Sequence, residues 1–147
     1  MRARRRFAQH FLEPAWVDRL VAAVAPSPDD VFLEIGPGRG ALTVALAPRV
    51  RRVVAVEIDR DLARLLASRA PANVDIVNED VLRADLGGLL ESPSAVRVVG
   101  NLPYNISTPI LFRLLELAGD GQRVKDATVM LQLEVAQRLA ARPGSKA

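Results

Sequence analysis

The sequence predicts a single α/β domain with a mostly parallel sheet and helices on both faces. Its 147 residues are enough for one hydrophobic core. Five short runs rich in β-branched residues have the composition of strands buried on both faces: residues 31–35, 53–58, 74–77, 96–99 and 128–131. Segments with helical spacing separate these runs, and strands that alternate with helices form parallel sheets.

The helical segments are predicted at residues 14–24, 42–47, 62–70, 86–90, 110–117 and 133–139. The first has proline in its first turn, and its apolar side chains fall on one face: Trp16, Leu20, Val21 and Val24. We expect it to pack on an edge of the sheet as a lid. Asp59, and Thr108 followed by proline, are typical helix starts.

Composition excludes several classes of protein. Half of the residues are apolar and a quarter are charged, as in soluble globular chains. No apolar run approaches the roughly 18 residues needed to span a bilayer, and no signal peptide is recognisable. The absence of cysteine and the single histidine exclude disulfides, thiol nucleophiles and multi-histidine metal sites. We therefore expect a cytoplasmic protein that needs no metal and no membrane.

The positive charge is concentrated at the N-terminus. The chain has 20 basic and 17 acidic residues, and four of the basic ones lie within the first six positions: Arg2, Arg4, Arg5 and Arg6. The remaining chain is close to neutral. The pattern predicts that this arm contacts a polyanion such as RNA, with a solvated tail as the alternative.

A glycine-rich loop, Glu34-Ile-Gly-Pro-Gly-Arg-Gly40, follows the first predicted strand and precedes a helix. Glycines at such a turn let the backbone approach a nucleotide-like ligand. Gly36, Gly38 and Ala41 also satisfy the dinucleotide pattern, and Glu57 stands where a ribose-binding acid belongs. The loop alone therefore leaves the cofactor open, and a purely structural tight turn is a further alternative.

Asp80 follows the third predicted strand and is expected beside the base of the ligand. A carboxylate there can accept a hydrogen bond from an exocyclic amine such as adenine N6. Together with Glu57 on the ribose, this predicts an adenosine ligand whose 5′ group lies over the glycine loop. A solvated loop acid or a helix cap is the alternative interpretation of Asp80.

The most specific motif is Asn101-Leu-Pro-Tyr-Asn-Ile-Ser-Thr-Pro109, after the fourth predicted strand. Adenine N6 is a poor nucleophile because its lone pair is delocalised into the ring. If the Asn101 side-chain oxygen and the Leu102 carbonyl accept both N6 hydrogens, the lone pair turns toward a methyl donor. Pro103 fixes the turn and Tyr104 stacks on the target base. An ordinary turn with a core tyrosine is the alternative.

Taken together, five motifs resemble the ribosomal RNA adenine dimethyltransferases over essentially the whole chain. They are the stretch from Arg6 to Leu12 that contains His10, the glycine loop, Glu57-Ile-Asp59, Asp80-Val81 and the Asn101 motif. The resemblance implies a Rossmann-like class I methyltransferase fold and S-adenosylmethionine as methyl donor. It further implies N6,N6-dimethylation of two adjacent adenines in the terminal hairpin of small-subunit rRNA.

In that family, the positions matching His10, Leu12, Gly36, Glu57, Asp80 and Asn101 line the cofactor site. The family often has asparagine at the position of His10, and histidine can still offer a ring N–H. Family members continue with two more strands, an aromatic loop and a helical RNA-binding domain. The expected organisation is therefore a basic, cofactor-contacting arm at 1–13 and an incomplete catalytic domain at 14–147 that lacks the last strands. Such a half is expected to bind the cofactor and can fail to methylate.

Three rival functions stay open. A large-subunit rRNA adenine methyltransferase of the antibiotic-resistance type uses the same motifs, although the Asn101 motif favours the small-subunit enzyme. An NAD-linked oxidoreductase would use the glycine loop but leaves Asn101 and Tyr104 unexplained. A non-catalytic RNA-binding assembly factor, or an inert fragment, is the third. The expected partner is ribosomal RNA or the precursor of the small ribosomal subunit, bound by a monomer.

Overall fold

Five parallel strands form one sheet in the order β3-β2-β1-β4-β5. In this computed structural model, which describes residues 13–89, 95–102, 106–119 and 124–144, the strands have the following bounds: β1 Val31–Ile35, β2 Arg52–Val56, β3 Val74–Val77, β4 Val96–Asn101 and β5 Val124–Met130. The chain builds outward from β1 to β3 and then returns to the other side of β1. The carboxyl ends of β1 and β4 therefore flank the point where ligands bind in such sheets.

The described residues form six α-helices, as the sequence predicts: the first helix precedes the first strand, the last helix follows the last strand, and the other four connect strands. The six helices are α1 Pro14–Val24, α2 Ala41–Leu46, α3 Arg60–Ala67, α4 Leu86–Leu89, α5 Ser107–Gly119 and α6 Leu133–Ala140. A short 3₁₀ turn, Ala47–Arg49, follows α2. Most of these bounds lie within three residues of the predicted ones. The predicted helix end at Leu90 falls outside the described residues.

The core has two layers, one on each face of the sheet. On one face, α1 and α2 pack against side chains of β1, β2 and β4 that include Phe32, Val53 and Val99. On the other face, α4 and α5 pack against Leu33 and Val98. All five residues of β1 are buried, which is typical of a central parallel strand. The predicted parallel α/β architecture with helices on both faces is thus confirmed.

One expectation about α1 is wrong. Trp16 is 45 % exposed, and Val17 takes its place in the buried face together with Leu20. The helix belongs to the same core cluster as Phe32 and Val99, and it also contacts β5, which is an edge strand in the described part of the chain. Trp16 instead packs against the Arg19 guanidinium, 4.6 Å from the ring centre. Trp16 and Val17 both lie at the margin of the apolar face of the helix, and tertiary packing determines which of the two is buried.

The expectation that all strands are buried on both faces is wrong for β3 and β5. Most of their residues are half-buried or exposed, because in the described part of the chain they form the two edges of the sheet. The strand β5 also begins at Val124, four residues before the predicted position. The sequence did not indicate this start because Lys125 and Asp126 are charged, and charged residues are tolerated only where a strand is partly exposed.

One buried cation joins several elements at the amino end of the sheet. Arg97 of β4 is 8 % exposed and pairs with Asp30 and with Asp126, each at 2.9 Å. It also donates to the carbonyl of Val24 at 2.6 Å and lies over the Phe32 ring at 5.1 Å. The guanidinium therefore fastens the end of α1 to strands β1, β4 and β5.

The described segments contain no helix that is long and apolar enough to cross a membrane. The same segments hold no group of three or more His, Cys, Asp or Glu side chains that could bind one metal ion.

Candidate active site

The glycine loop connects β1 to α2 with three glycines in the left-handed region. Their φ angles are +65° at Gly36, +58° at Gly38 and +86° at Gly40. A β-carbon on Gly40 would overlap Cδ1 of Leu66, so this glycine also permits close packing of α2 on α3. The Gly36 N–H donates to the carbonyl of Val56 at 2.9 Å, which extends the pairing of β1 with β2 into the loop. The loop thus needs glycine for backbone reasons as well as for ligand approach.

Glu57, immediately after β2, fastens the glycine loop to the start of α3. Its Oε1 accepts from the Gly38 N–H at 2.9 Å, and its Oε2 accepts from the Asp59 N–H at 3.0 Å. The residue is buried, and burial raises the pKa of Glu57, while these hydrogen bonds act in the opposite direction. The Ile58 N–H also interacts with this carboxylate, which has about four acceptor sites, so capacity for a ligand remains. Two predicted cofactor residues, Gly38 and Glu57, are therefore in direct contact.

The turns that follow β2 and β3 are also fixed by side-chain hydrogen bonds. Asp59 caps α3 by accepting from the N–H groups of Asp61 and Leu62, which confirms the predicted helix start. The Asn78 amide donates to the carbonyl of Glu57 at 2.8 Å and to that of Ile58 at 3.2 Å. The ends of β2 and β3 are thereby held against each other beside the predicted ligand position.

Asp80 has a structural contact on one oxygen. Its Oδ1 accepts from the Leu82 N–H at 3.0 Å, which is the capping role that the sequence left open. No hydrogen bond from the described residues reaches Oδ2, and the residue is half-buried. Asp80 therefore caps its own turn and still has an oxygen that can accept from a ligand.

Sequence reasoning missed the burial of a further carboxyl group, Glu34 of β1. It is 2 % exposed and accepts a hydrogen bond from the hydroxyl of Thr43, which lies in α2 and is fully buried. Burial raises the pKa of Glu34 to about 7, against the effect of Thr43 and with a further contribution from the charge of Glu57. The available signal was a carboxylate inside an otherwise apolar strand. This pair connects β1 to α2 beneath the glycine loop.

Asn101 ends β4 next to the glycine loop. A β-carbon built on Gly36 would lie 3.9 Å from the Asn101 carbonyl oxygen, so the two motifs adjoin. A β-carbon on Gly100 would come within 2.7 Å of the Ile35 carbonyl, which shows how closely β4 approaches β1 at this edge. The glycine loop and the Asn101 motif are therefore neighbours at this edge of the sheet.

Leu102 follows Asn101 with its side chain in the core and 5 % exposed. Its N–H donates to the Met130 carbonyl at 3.1 Å, so the pairing of β4 with β5 continues through this residue. Only its backbone is suited to the predicted role of accepting a hydrogen from the target amine. The other predicted site residues lie outside the described residues: Arg2, Arg4, Arg5, Arg6, His10, Leu12, Pro103 and Tyr104.

The strand order therefore arranges the described site residues along one edge of the sheet, with Asp80 after β3, Glu57 after β2, the glycine loop after β1 and Asn101 on β4. A parallel sheet with a glycine loop and acidic side chains at its carboxyl edge is the arrangement of a Rossmann-like domain. The whole chain, residues 1–147, matches the sequence model of the family described as ribosomal RNA adenine dimethylase. The chain belongs to that family.

Individual relatives agree with this assignment. The chain is 49% identical over 146 residues to the ribosomal RNA small subunit methyltransferase A of Methylibium petroleiphilum, covering 98% of this chain and 55% of that protein. It is 48% identical to the protein of the same name from Paracidovorax citrulli, covering 97% of this chain and 55% of the relative. The chain thus spans about half the length of the curated relatives it matches.

Solved structures show the same fold. A dimethyladenosine transferase from Plasmodium falciparum superimposes with a TM-score of 0.76 at 29% identity, covering 92% of this chain and 48% of that one. The 23S rRNA methyltransferase ErmE gives a TM-score of 0.71 at 32% identity, covering 88% of this chain and 50% of that one. The predicted Rossmann-like methyltransferase fold is confirmed.

Proposed function

We propose that this chain is the cofactor-binding part of an S-adenosylmethionine-dependent rRNA methyltransferase that dimethylates N6 of two adjacent adenines in the terminal hairpin of small-subunit rRNA. The observation that carries the proposal is the adjacency of the glycine loop and Asn101, with Gly36 against the Asn101 carbonyl. That adjacency brings a cofactor loop and an amine-binding turn to one edge. The names of the curated relatives support the choice of substrate.

The edge suits a cationic adenosine cofactor. Glu57 keeps acceptor capacity for a ribose hydroxyl, and Asp80 keeps one oxygen for an exocyclic amine. Gly36, Gly38 and Glu57 would hold the ribose and the 5′ group, Asp80 the adenine, and His10 and Leu12 would complete the site. When bound, S-adenosylmethionine supplies an electrophilic methyl group on a positively charged sulfonium. The buried acids at this edge favour a cation over an anion.

The same contacts count against NAD. A dinucleotide would place a pyrophosphate over the glycine loop, where it needs free backbone N–H groups. The Gly38 N–H already donates to Glu57 at 2.9 Å, and the Gly36 N–H to Val56 at 2.9 Å. A phosphate there would also approach the Glu57 carboxylate, which costs electrostatic energy. The rival oxidoreductase function is therefore disfavoured.

In the proposed reaction the chain positions the target amine. The Asn101 side-chain oxygen and the Leu102 carbonyl accept the two N6 hydrogens, which draws the N6 lone pair out of conjugation with the ring. Pro103 fixes that turn, and Tyr104 stacks on the base after it leaves its helix. The proton of the alkylated amine passes to water, because alkylation makes N6 acidic. Placement and partial exclusion of water supply the acceleration.

A large-subunit rRNA target is the second candidate, because ErmE has 32% identity to this chain. The curated relatives named for the small subunit reach 49% and 48%. That difference favours the small-subunit hairpin. A substrate of this kind places the protein in ribosome biogenesis in the cytoplasm, where we propose that it acts as a monomer.

Calorimetric titration with S-adenosylmethionine, S-adenosylhomocysteine and NAD tests the cofactor. We expect the methyl donor and its product to bind and NAD to give no heat. Asp80→Ala should weaken binding, whereas Asp29→Ala removes the same charge from an exposed position before β1 and should not. Binding of NAD without binding of the methyl donor would contradict the proposal. Incubation with labelled methyl donor and either a small-subunit or a large-subunit rRNA hairpin then separates the two substrates.

A further inference from the structure

The middle of the chain has an excess of positive charge that acids elsewhere in the chain offset in the net charge. Residues 39–69 contain seven arginines and three acids, and two of those acids, Glu57 and Asp59, are buried. By contrast, residues 7–38 contain five acids and one base. The basic excess expected only in the N-terminal arm therefore recurs between β1 and β3.

Four of these arginines cluster around α3, at the ligand-binding edge. Arg60 is the first residue of α3 and follows the Asp59 cap, and Arg64 lies one turn later on the same side. The Arg69 guanidinium donates to the carbonyl of Arg39 in the glycine loop at 3.0 Å. We call this the α3 surface, defined by Arg39, Arg60, Arg64 and Arg69, all of which are exposed.

The chemistry of the α3 surface fits phosphate. All seven basic residues in this part of the chain are arginines, and the planar guanidinium binds phosphate oxygens in pairs. Among the described residues, no acid forms a salt bridge with Arg60 or Arg64. One exposed acid, Asp61, is also on α3.

A lipid surface fits less well than a nucleic acid. Helices that lie in a membrane interface bury a broad apolar face. The helix α3 has eight residues, and its large exposed apolar side chain is Leu65, at 50 %. The arginines therefore point to a polyanion that is recognised through its backbone.

We propose that the α3 surface binds backbone phosphates of the rRNA stem beside the target adenine. This inference rests on the proposed function, which supplies the RNA partner. Asn101 is on β4, and α3 follows β2, two strands away in the sheet. With strands about 4.8 Å apart, that is a separation of about 10 Å along the edge. A hairpin with its target base at Asn101 thus brings stem phosphates within reach of Arg60 and Arg64.

The test compares two double variants that remove the same charge. Arg60→Gln with Arg64→Gln alters the α3 surface, and Arg49→Gln with Arg51→Gln alters two exposed arginines ahead of β2, at the opposite end of that strand. Binding of a synthetic RNA hairpin with two adjacent loop adenines is measured by fluorescence anisotropy between 50 and 200 mM salt. We expect the α3 pair to reduce the slope of log K against log salt by about 1.4 to 1.8, the value for two lost phosphate contacts. The control pair should leave the slope unchanged.

Each outcome decides the matter. Equal slopes for both pairs, whether reduced or unchanged, would overturn the α3 surface as a contact site and leave the cofactor assignment standing. Arg60→Lys with Arg64→Lys keeps the charge and should keep most of the slope. Stronger binding to anionic phospholipid vesicles than to the hairpin would overturn the choice of RNA. If the wild-type chain binds S-adenosylmethionine but no RNA, the surface is again refuted; if it binds neither, the proposed function itself fails.

Discussion

Glu34 should make the stability of this protein fall as the pH rises, and Glu34→Gln should remove that dependence. The folded protein holds the pKa of Glu34 at about 7, compared with an ordinary value of 4.5 that applies to the unfolded chain. Below pH 4.5 both states are protonated. As the pH rises from 4.5 to 7, the unfolded chain releases this proton and the folded protein keeps it, so the free energy of unfolding falls. Above pH 7 the loss is complete.

The expected size follows from the two pKa values. The pKa of Glu34 is 4.5 in the unfolded chain and about 7 in the folded protein, and this difference lowers the free energy of unfolding by about 2.5 kcal/mol between pH 5 and pH 8. Glutamine preserves the shape and the oxygen that accepts from Thr43, but it does not titrate. Urea unfolding followed by circular dichroism at pH 5, 6, 7 and 8 measures the effect. The free energy of unfolding of Glu34→Gln minus that of the wild type should be about 2.5 kcal/mol larger at pH 8 than at pH 5.

Other carboxyl groups, including Glu57, titrate in both proteins and largely cancel in this difference. Glu79→Gln serves as the control because Glu79 is exposed, and its stability should follow the wild type at every pH. Parallel curves for the wild type and Glu34→Gln would refute the reasoning. That result would mean that Glu34 is ionised in the folded protein across the range, despite its burial beside Thr43.

Further predictions concern the loop, the core cation and the site. Gly40→Ala should destabilise the fold by about 1–3 kcal/mol in urea unfolding, because φ is +86° and the new methyl group would displace Leu66; an unchanged midpoint would refute the strain. Arg97→Met should destabilise by about 2–4 kcal/mol, since it leaves partly buried acids without their cation, and a neutral effect in the same assay would contradict this. Asp80→Ala should weaken S-adenosylmethionine binding about tenfold in calorimetry, the value of one hydrogen bond to a charged acceptor, and unchanged affinity would remove Asp80 from the adenine site. Asn101→Ala should reduce methyl incorporation into the rRNA hairpin by about 100-fold or more and cofactor affinity far less; retained transfer would exclude the amine-binding role.

The predictable part of this fold is the part with strong local signals. Strands β1, β3 and β4 begin where the β-branched runs begin, and Asp59 caps its helix as expected. The position of a strand within the sheet could not be predicted in this way, because a β-branched run such as Thr128 to Met130 has the same composition at an edge as in the centre. Burial at the margin of a helix, as for Trp16 and Val17, depends on neighbours that are distant in sequence.

The candidate site was predictable as a set of residues but not as a set of contacts. The motifs identified Gly36, Glu57, Asp80 and Asn101, and the sheet order brings them to one edge. They did not reveal that Glu57 accepts from the glycine loop, and they offered capping by Asp80 only as an alternative to ligand binding. Nor did they reveal the hydrogen bond from Thr43 to Glu34, because these partners lie nine residues apart in different elements and neither residue type is diagnostic.

The strand order also determines when each strand can pair with its neighbours during synthesis. In the pairing of the central strand β1 with β4, Val31 lies opposite Val96. The ribosome must therefore add 65 residues after Val31 before β4 can begin to pair with that side of β1. At about 5–20 residues per second, β1 has one unpaired edge for ~3–13 s. During this interval Asp30 also lacks the guanidinium of Arg97, which is made only one residue after Val96. The nascent chain is therefore most exposed to aggregation at its central strand, and a chaperone that acts before β4 is made would protect that edge.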